Sequence, residues 1–293
     1  ILQNPAPLYR LLFESANATL LQFGQQRFQA ELGLTAILHT WGQNLMNHPH
    51  LHCLVTGGGL TAQDTWAGPK QTRWLFPVHA VGHVFRAKFC AGLLQLSATG
   101  KLEFHGQCKP LQDAGAFAAL LRQGRTRRWV VFAKGSVVGP DAVLDYLGRY
   151  THRVAITNSR LRALDPTART LTFSYKDYAD ASRLKALTLT GLEFIRRLRL
   201  HLLPRGFTKI RHYGLLGNNR RHRRVPQART ALATSPLRFA PTPIPGSAPP
   251  PLTCPHCQGT EVRCIGRVER SGKITLFVRP WLSGPAPPYP DTS

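Results

Sequence analysis

The run His48-Pro49-His50-Leu51-His52-Cys53-Leu54-Val55-Thr56, closed by Gly57-Gly58-Gly59, constrains the fold more than any other stretch of the chain. As a strand it sends His50, His52 and Leu54 to one face and Leu51, Cys53 and Val55 to the other, because side chains alternate across a pleated backbone. The second face suits burial against helices. The first carries two neighbouring imidazoles that can meet a metal or a substrate. The plainer alternative is a sheet face with half-buried histidines, since 12 histidines in 293 residues give some adjacency by chance.

Around this run the periodicity predicts a lead-in helix over 6–30, with Leu8, Leu11, Leu12, Leu20, Leu21 and Phe28 at helical spacing. Thr35 to Trp41 reads as a strand that pairs antiparallel with 50–56 and brings His39 near His50 and His52. Helices follow over 77–96 and 111–122, and Trp129 to Ala133 is an apolar run suited to a buried strand. Gly139-Pro140-Asp141 starts a helix that runs to Arg149 or Thr151. Strand pieces at Val154–Thr157, Leu161–Leu164 and Thr170–Tyr175 are broken by turn residues, and Leu192–Leu203 is helical. This order implies an α+β domain with a mainly antiparallel sheet. The expected division is a lead-in over 1–30, a catalytic domain over 31–213, a basic then proline-rich linker over 214–252, and a tail over 253–293.

Lys and Arg total 38 against 14 Asp and Glu, a formal net charge of +24, which points to an anionic polymer as partner. No run of about 18 apolar residues offers a membrane span, and no signal-peptide pattern opens the chain. Six dispersed cysteines fit a reducing, intracellular setting rather than a disulfide scaffold. The chain opens at Ile1 and its single methionine is Met46, so a stretch of a longer reading frame is the expectation. From Arg196 to Arg229 there are 11 Lys or Arg and no acid. Within that run Arg220, Arg221, Arg223 and Arg224 are either contacts to a DNA backbone or a solvated tail.

A second constellation sits in the helix after Pro140, where Tyr146 and Tyr150 are four residues apart and share one face. With Val143 and Leu147 they also form an ordinary amphipathic stripe. Beside a metal-holding histidine strand, however, a tyrosine could attack a phosphodiester and form a covalent phosphotyrosine. Arg149 and Arg153 flank the pair and could hold phosphate oxygens. Cys254 and Cys257 have the spacing of half a zinc knuckle, with Cys264 as a further ligand; a second pair is lacking, so a closed structural zinc site is not evident.

His50-Leu51-His52 resembles the histidine-hydrophobic-histidine signature of HUH single-strand endonucleases. The wider strings His39 to Gly42, His48 to Gly59, Tyr146 to Ile156 and Ile210 to Leu216 resemble the two-tyrosine rolling-circle transposases of the insertion sequence ninety-one family, over residues 1 to 225. The resemblance implies a palm-like antiparallel sheet and Mg²⁺ or Mn²⁺ bound by His50 and His52. It favours His39 as third ligand, with His48 or His152 as alternatives. It further implies Tyr146 and Tyr150 as nucleophiles that nick and rejoin single-stranded element ends in the bacterial cytoplasm, at the nucleoid. Similar transposases carry a cysteine-rich zinc module ahead of the segment where this sequence begins, and this sequence does not contain it. A plasmid replication initiator or relaxase with the same chemistry, and a non-catalytic DNA-binding remnant, are the competing expectations.

Overall fold

The computed structural model describes residues 1–69, 75–135, 139–151 and 155–234, together with two short strands at 266–268 and 274–276; the side chains at 140, 145 and 149–151 lie outside this description. In chain order the elements are α1 (Pro5–Phe28), β1 (Ala30–Trp41), β2 (Asn47–Thr61), β3 (Trp66–Ala67), α2 (Val78–Ala98), α3 (Ala114–Thr126) and α4 (Pro140–Thr151). They continue with β4 (Leu161–Asp165), β5 (Thr170–Asp177), β6 (Arg183–Thr190), α5 (Gly191–Arg199), β7 (Ile210–Gly214), α6 (Arg221–Thr234), β8 (Gly266–Val268) and β9 (Ile274–Leu276). The fold is α+β with antiparallel sheets flanked by helices, as the sequence implies. The chain divides into two units, Ile1–Pro241 and Thr242–Ser293, the second holding the β8–β9 pair. The lead-in helix and the basic segment both belong to the first unit.

The first sheet runs β3-β2-β1-β7 and every pairing is antiparallel. β1 is central and buried along nearly its whole length, so its apolar residues are continuous rather than alternating. Ala36, Leu38, Leu51 and Cys53 pack one sheet face against Tyr9, Leu12 and Phe13 of α1 and Phe85 and Phe89 of α2. Burial pushes the Cys53 thiol up to about 12, so it packs as an apolar group.

The second sheet, β4-β5-β6, packs Phe173 and Leu189 with Phe194 and Leu198 of α5 and with Leu45 from the turn between β1 and β2. Three successive carbonyls of that turn are held from this side. Arg160 donates to Gln43, Arg197 to Asn44 at 3.1 Å, and His201 to Leu45 at 3.0 Å.

Several expectations are corrected. Trp129–Ala133 is not a strand but an extended segment in no ladder, with Trp129 and Val131 turned inward and Val130 and Phe132 exposed. Residues 155–157 are likewise not a strand, and 154 lies outside the described residues. β6, β7 and α6 were not anticipated as elements. α6 is a helix inside the span read as linker, and its Ala228 and Ala231 pack on Leu60. No described helix is long and apolar enough to cross a membrane.

Gly214 ends β7 at φ 59, and a Cβ there would collide with the Leu32 carbonyl oxygen. Gly57 has nothing within 4 Å of the equivalent position. Gly214→Ala is expected to lower the unfolding free energy by about 2 kcal/mol or more, from the left-handed backbone and the clash together. Gly57→Ala should stay within about 0.5 kcal/mol of the parent. Urea denaturation of the two variants checks the difference.

Candidate metal centre

The β1–β2 register places His39 directly opposite His50 and Ile37 opposite His52, so three imidazoles share the sheet face away from α1 and α2. Their ligand nitrogens all lie within 4.8 Å of one another. His50 and His52 approach Nε2 to Nε2 at 3.1 Å. The His50 Nδ1–H donates to the His48 carbonyl at 2.7 Å, which leaves the His50 Nε2 lone pair aimed at His52. Two nitrogens bound to one cation at about 2.0–2.1 Å stand roughly 2.9–3.4 Å apart for bond angles from a right angle to tetrahedral. The spacing of the His50 and His52 nitrogens therefore fits a transition-metal ion without rearrangement of that pair, with the His39 nitrogen close by.

Burial and neighbouring imidazoles keep the His50 and His52 rings neutral. Burial, then the neighbouring His39 and His50, lower the His52 pKa to about 3. Burial also lowers His50, partly countered by its bond to His48. Neutral imidazole is the form that binds metal.

The supports of His39 carried no signal in the sequence. Trp41 stacks on its ring at 4.4 Å between centroids and 26° between planes. Lys209 Nζ lies 5.0 Å from the Trp41 ring centroid, and His201 meets the indole edge-on at 6.0 Å. His201 Nε2 donates to the Leu45 carbonyl at 3.0 Å, and its Nδ1 lies 3.3 Å from the Thr40 hydroxyl. Burial lowers its pKa, partly countered by its hydrogen bonds to the Leu45 and Thr40 backbone. A β-bulge between His39 and Trp41 could have flagged the region, but bulges are not legible in residue types alone.

The other expected site residues are placed unevenly. His48, an alternative third ligand, is exposed and offers its carbonyl to His50. α4, which carries both tyrosines, contacts β1, and Tyr146 is half-buried. The side chains of Arg149 and Tyr150, and residues His152, Arg153, Cys254, Cys257 and Cys264, lie outside the described residues. The basic run is split. Arg220 and Arg224 bind Glu31 at 2.7 and 3.1 Å, and Arg224 also binds Asp64 at 3.0 Å, which corrects the reading of these two as part of a solvated tail. Arg221 and Arg223 are exposed.

A sequence model of a family described as "Putative transposase" matches residues 33–224. "Putative transposase y4qJ" of Sinorhizobium fredii is 44% identical over 236 residues, which are 80% of this chain and 58% of that relative. "Transposase for insertion sequence element IS801" of Pseudomonas savastanoi pv. phaseolicola is 28% identical over 244 residues, 78% of this chain and 55% of that relative. The chain thus spans just over half the length of the curated relatives it matches. No solved structure matches it.

The depressed His52 pKa has a stability consequence in metal-free protein. The unfolded chain takes up this proton near pH 6.5, whereas the folded chain does so only near pH 3. Unfolding therefore binds a proton throughout that window, and the folded state loses stability as pH falls from about 6.5 towards 3, with no further loss from this group below. Urea titrations in chelator at stepped pH should show this decline, and His52→Asn should make it shallower.

Proposed function

Because the chain belongs to the transposase family whose sequence model spans residues 33–224, we propose that it is a DNA strand transferase. On this reading it nicks and rejoins single-stranded ends of an insertion element in rolling-circle transposition. The observation that carries the proposal is the convergence of His39, His50 and His52 on one point of the sheet face, beside the strand that α4 contacts.

His39, His50 and His52 would hold the divalent cation, and three neutral imidazoles suit Mn²⁺ better than Mg²⁺. When bound, such an ion polarises a phosphate oxygen and offsets the charge that builds in the transition state. The residues of the chain do the rest. A phenol oxygen of Tyr146 or Tyr150 attacks the phosphorus, the tyrosine O–P bond forms, and the P–O3′ bond breaks. The 3′-oxygen leaves and takes up a proton from solvent or a protonated base, matching the one the phenol gives up, so a free 3′-hydroxyl is released and the 5′ end stays linked as phosphotyrosine. Because the bond is exchanged and not hydrolysed, a later 3′-hydroxyl can reverse the step without a nucleotide cofactor. Two tyrosines on one helical face permit two linked transfers. The packing of Trp41 on His39 and the bond from His50 to the His48 carbonyl limit ring rotation, so the ligand set is arranged before substrate arrives.

The test mixes the full chain with labelled single-stranded oligonucleotides from element ends and Mn²⁺, followed by a denaturing gel. A covalent adduct is expected, and chelator should abolish it. His50→Ala and His52→Ala should each cut adduct formation by roughly 100-fold or more while oligonucleotide affinity changes little. An adduct that survives in the Tyr146→Phe, Tyr150→Phe double variant rules out the tyrosines as nucleophiles.

A further inference from the structure

Behind the sheet, the first half of α2 and the segment after α3 form a basic surface with no place in the chemistry above. α2 turns Phe85 and Phe89 towards the sheet face opposite the three histidines. His79 and His83 are exposed on the outer side of the same helix. Against it lies the extended segment Arg127-Arg128-Trp129-Val130-Val131-Phe132-Ala133-Lys134.

This segment is seated, not loose. Trp129 contacts Phe85 and Phe89 with 5.5 Å between ring centroids in each case, and its indole N–H donates to the Gly124 carbonyl at 2.9 Å. Val131 packs with Leu32, Phe76 and Val81. Gly82 allows the close approach, since a Cβ there would lie 3.0 Å from the Trp129 carbonyl oxygen. Arg86 donates to the Arg127 carbonyl at 2.8 Å and bonds the His83 ring at 3.0 Å.

With alternate residues anchored inward, the others are thrust out: Val130 and Phe132 are each 80% exposed. Around them Arg122, Arg125, Arg127, Arg128 and Lys134 are exposed as well. No Asp or Glu occurs between Asp113 and Asp141, or from 78 to 102. None of these cations forms an ion pair among the described residues. Single exposed apolar residues are ordinary on a protein surface. An aromatic ring fixed outward on an anchored segment, inside an uncompensated cation cluster, is a different arrangement.

We propose that this surface is a second nucleic-acid site, which holds single-stranded DNA away from the histidines by stacking bases on Phe132 and pairing phosphates with Arg127, Arg128 and Lys134. Single strands are favoured over duplex because only unpaired bases present a face to an outward ring, whereas phosphates alone would reward cations without it. An anionic membrane is the weaker match, because two apolar side chains on one short extended segment bury little area in an interface. The inference rests on the DNA partner proposed above but not on the metal or the tyrosines.

The test measures fluorescence anisotropy of labelled oligothymidylate with the full chain in EDTA, beside a hairpin duplex carrying as many phosphates. Phe132→Ala should weaken oligothymidylate binding about 5- to 150-fold and leave the duplex nearly unchanged. The Arg127→Ala, Arg128→Ala double variant should flatten the slope of log affinity against log salt by about 0.7 for each phosphate no longer neutralised. Because the assay runs in EDTA and reads binding without turnover, failure of the strand-transfer chemistry and failure of this surface are separable. Phe132 is exposed, so an unchanged melting temperature is the control for folding. Parent-like affinity and salt slope in both the Phe132 and the double arginine variants overturn the proposal. So does equal weakening on single strand and duplex in Phe132→Ala. Loss of binding to phosphatidylserine vesicles, with DNA affinity intact, would assign the surface to lipid instead.

Discussion

His39 stands opposite His50 because β1 and β2 pair without a slip from Leu34 to His39, and that register decides what this sheet face can do. Side chains alternate with a period of two, so a shift of one residue would carry His50 and His52 into the apolar layer against α1 and α2. It would equally bring Leu51 and Cys53 out. Burying those two side chains stabilises the observed register by about 1.5–3 kcal/mol for a leucine-sized group and less for the thiol. β2 also pairs with β3 on its other edge, Gly59 opposite Ala67 and Leu60 opposite Trp66, so its slip would have to break two ladders at once.

The turn between the two strands gives the same register a second hold. Leu45 adopts φ 62, a left-handed conformation that costs a non-glycine residue about 1–2 kcal/mol. Its side chain is fully buried among Phe173, Leu189 and Ala155, a gain of about 1.5–3 kcal/mol that offsets the backbone cost. The three hydrogen bonds from Arg160, Arg197 and His201 to the turn then couple the small second sheet to the histidine face. Arg197 is itself held by Glu193, whose carboxyl is pushed down to about 2 by hydrogen bonds from Arg196 and Arg197. The β4–β6 sheet and α5 thus brace the hairpin that carries the imidazoles, although they place no ligand there.

What could be read from residue types follows from which forces are local. α1, α2 and α4 announce themselves by apolar spacing and by Pro140 at a helix start, and the histidine strand by alternation. β7 could not be found this way, because Ile210–Gly214 becomes a strand only through pairing with a segment some 180 residues earlier. α6 was hidden by its charge: Arg-His-Arg-Arg looks like a solvated run until Glu31 and Asp64 are brought to it by the fold. Trp129–Ala133 misled for the opposite reason, since five apolar residues in a row conceal that only alternate ones are buried. The site divides along the same line. The facing of His39, His50 and His52 follows from strand periodicity and one antiparallel pairing, whereas Trp41, Lys209 and His201 come together from three separate parts of the chain.

Net charge alone says only that a polyanion is attractive; the positions of the few acids say where. With 14 carboxylates against 38 cations, each acid that forms an ion pair marks an arginine or lysine held in place by the fold. Glu31 and Asp64 take Arg220 and Arg224 to fix α6, Glu193 takes Arg196 and Arg197, and Asp177 and Asp180 take Lys185. A cation already bound to a carboxylate must give up that partner before it can meet a phosphate, so its net gain from DNA is reduced. The densest basic run in the sequence is therefore partly committed to structure, while the stretch from 78 to 135 keeps nearly all of its charge for a ligand. For a chain this basic, sparse acids are the more informative residues, because they divide the cations that hold the fold from those left to face a polyanion.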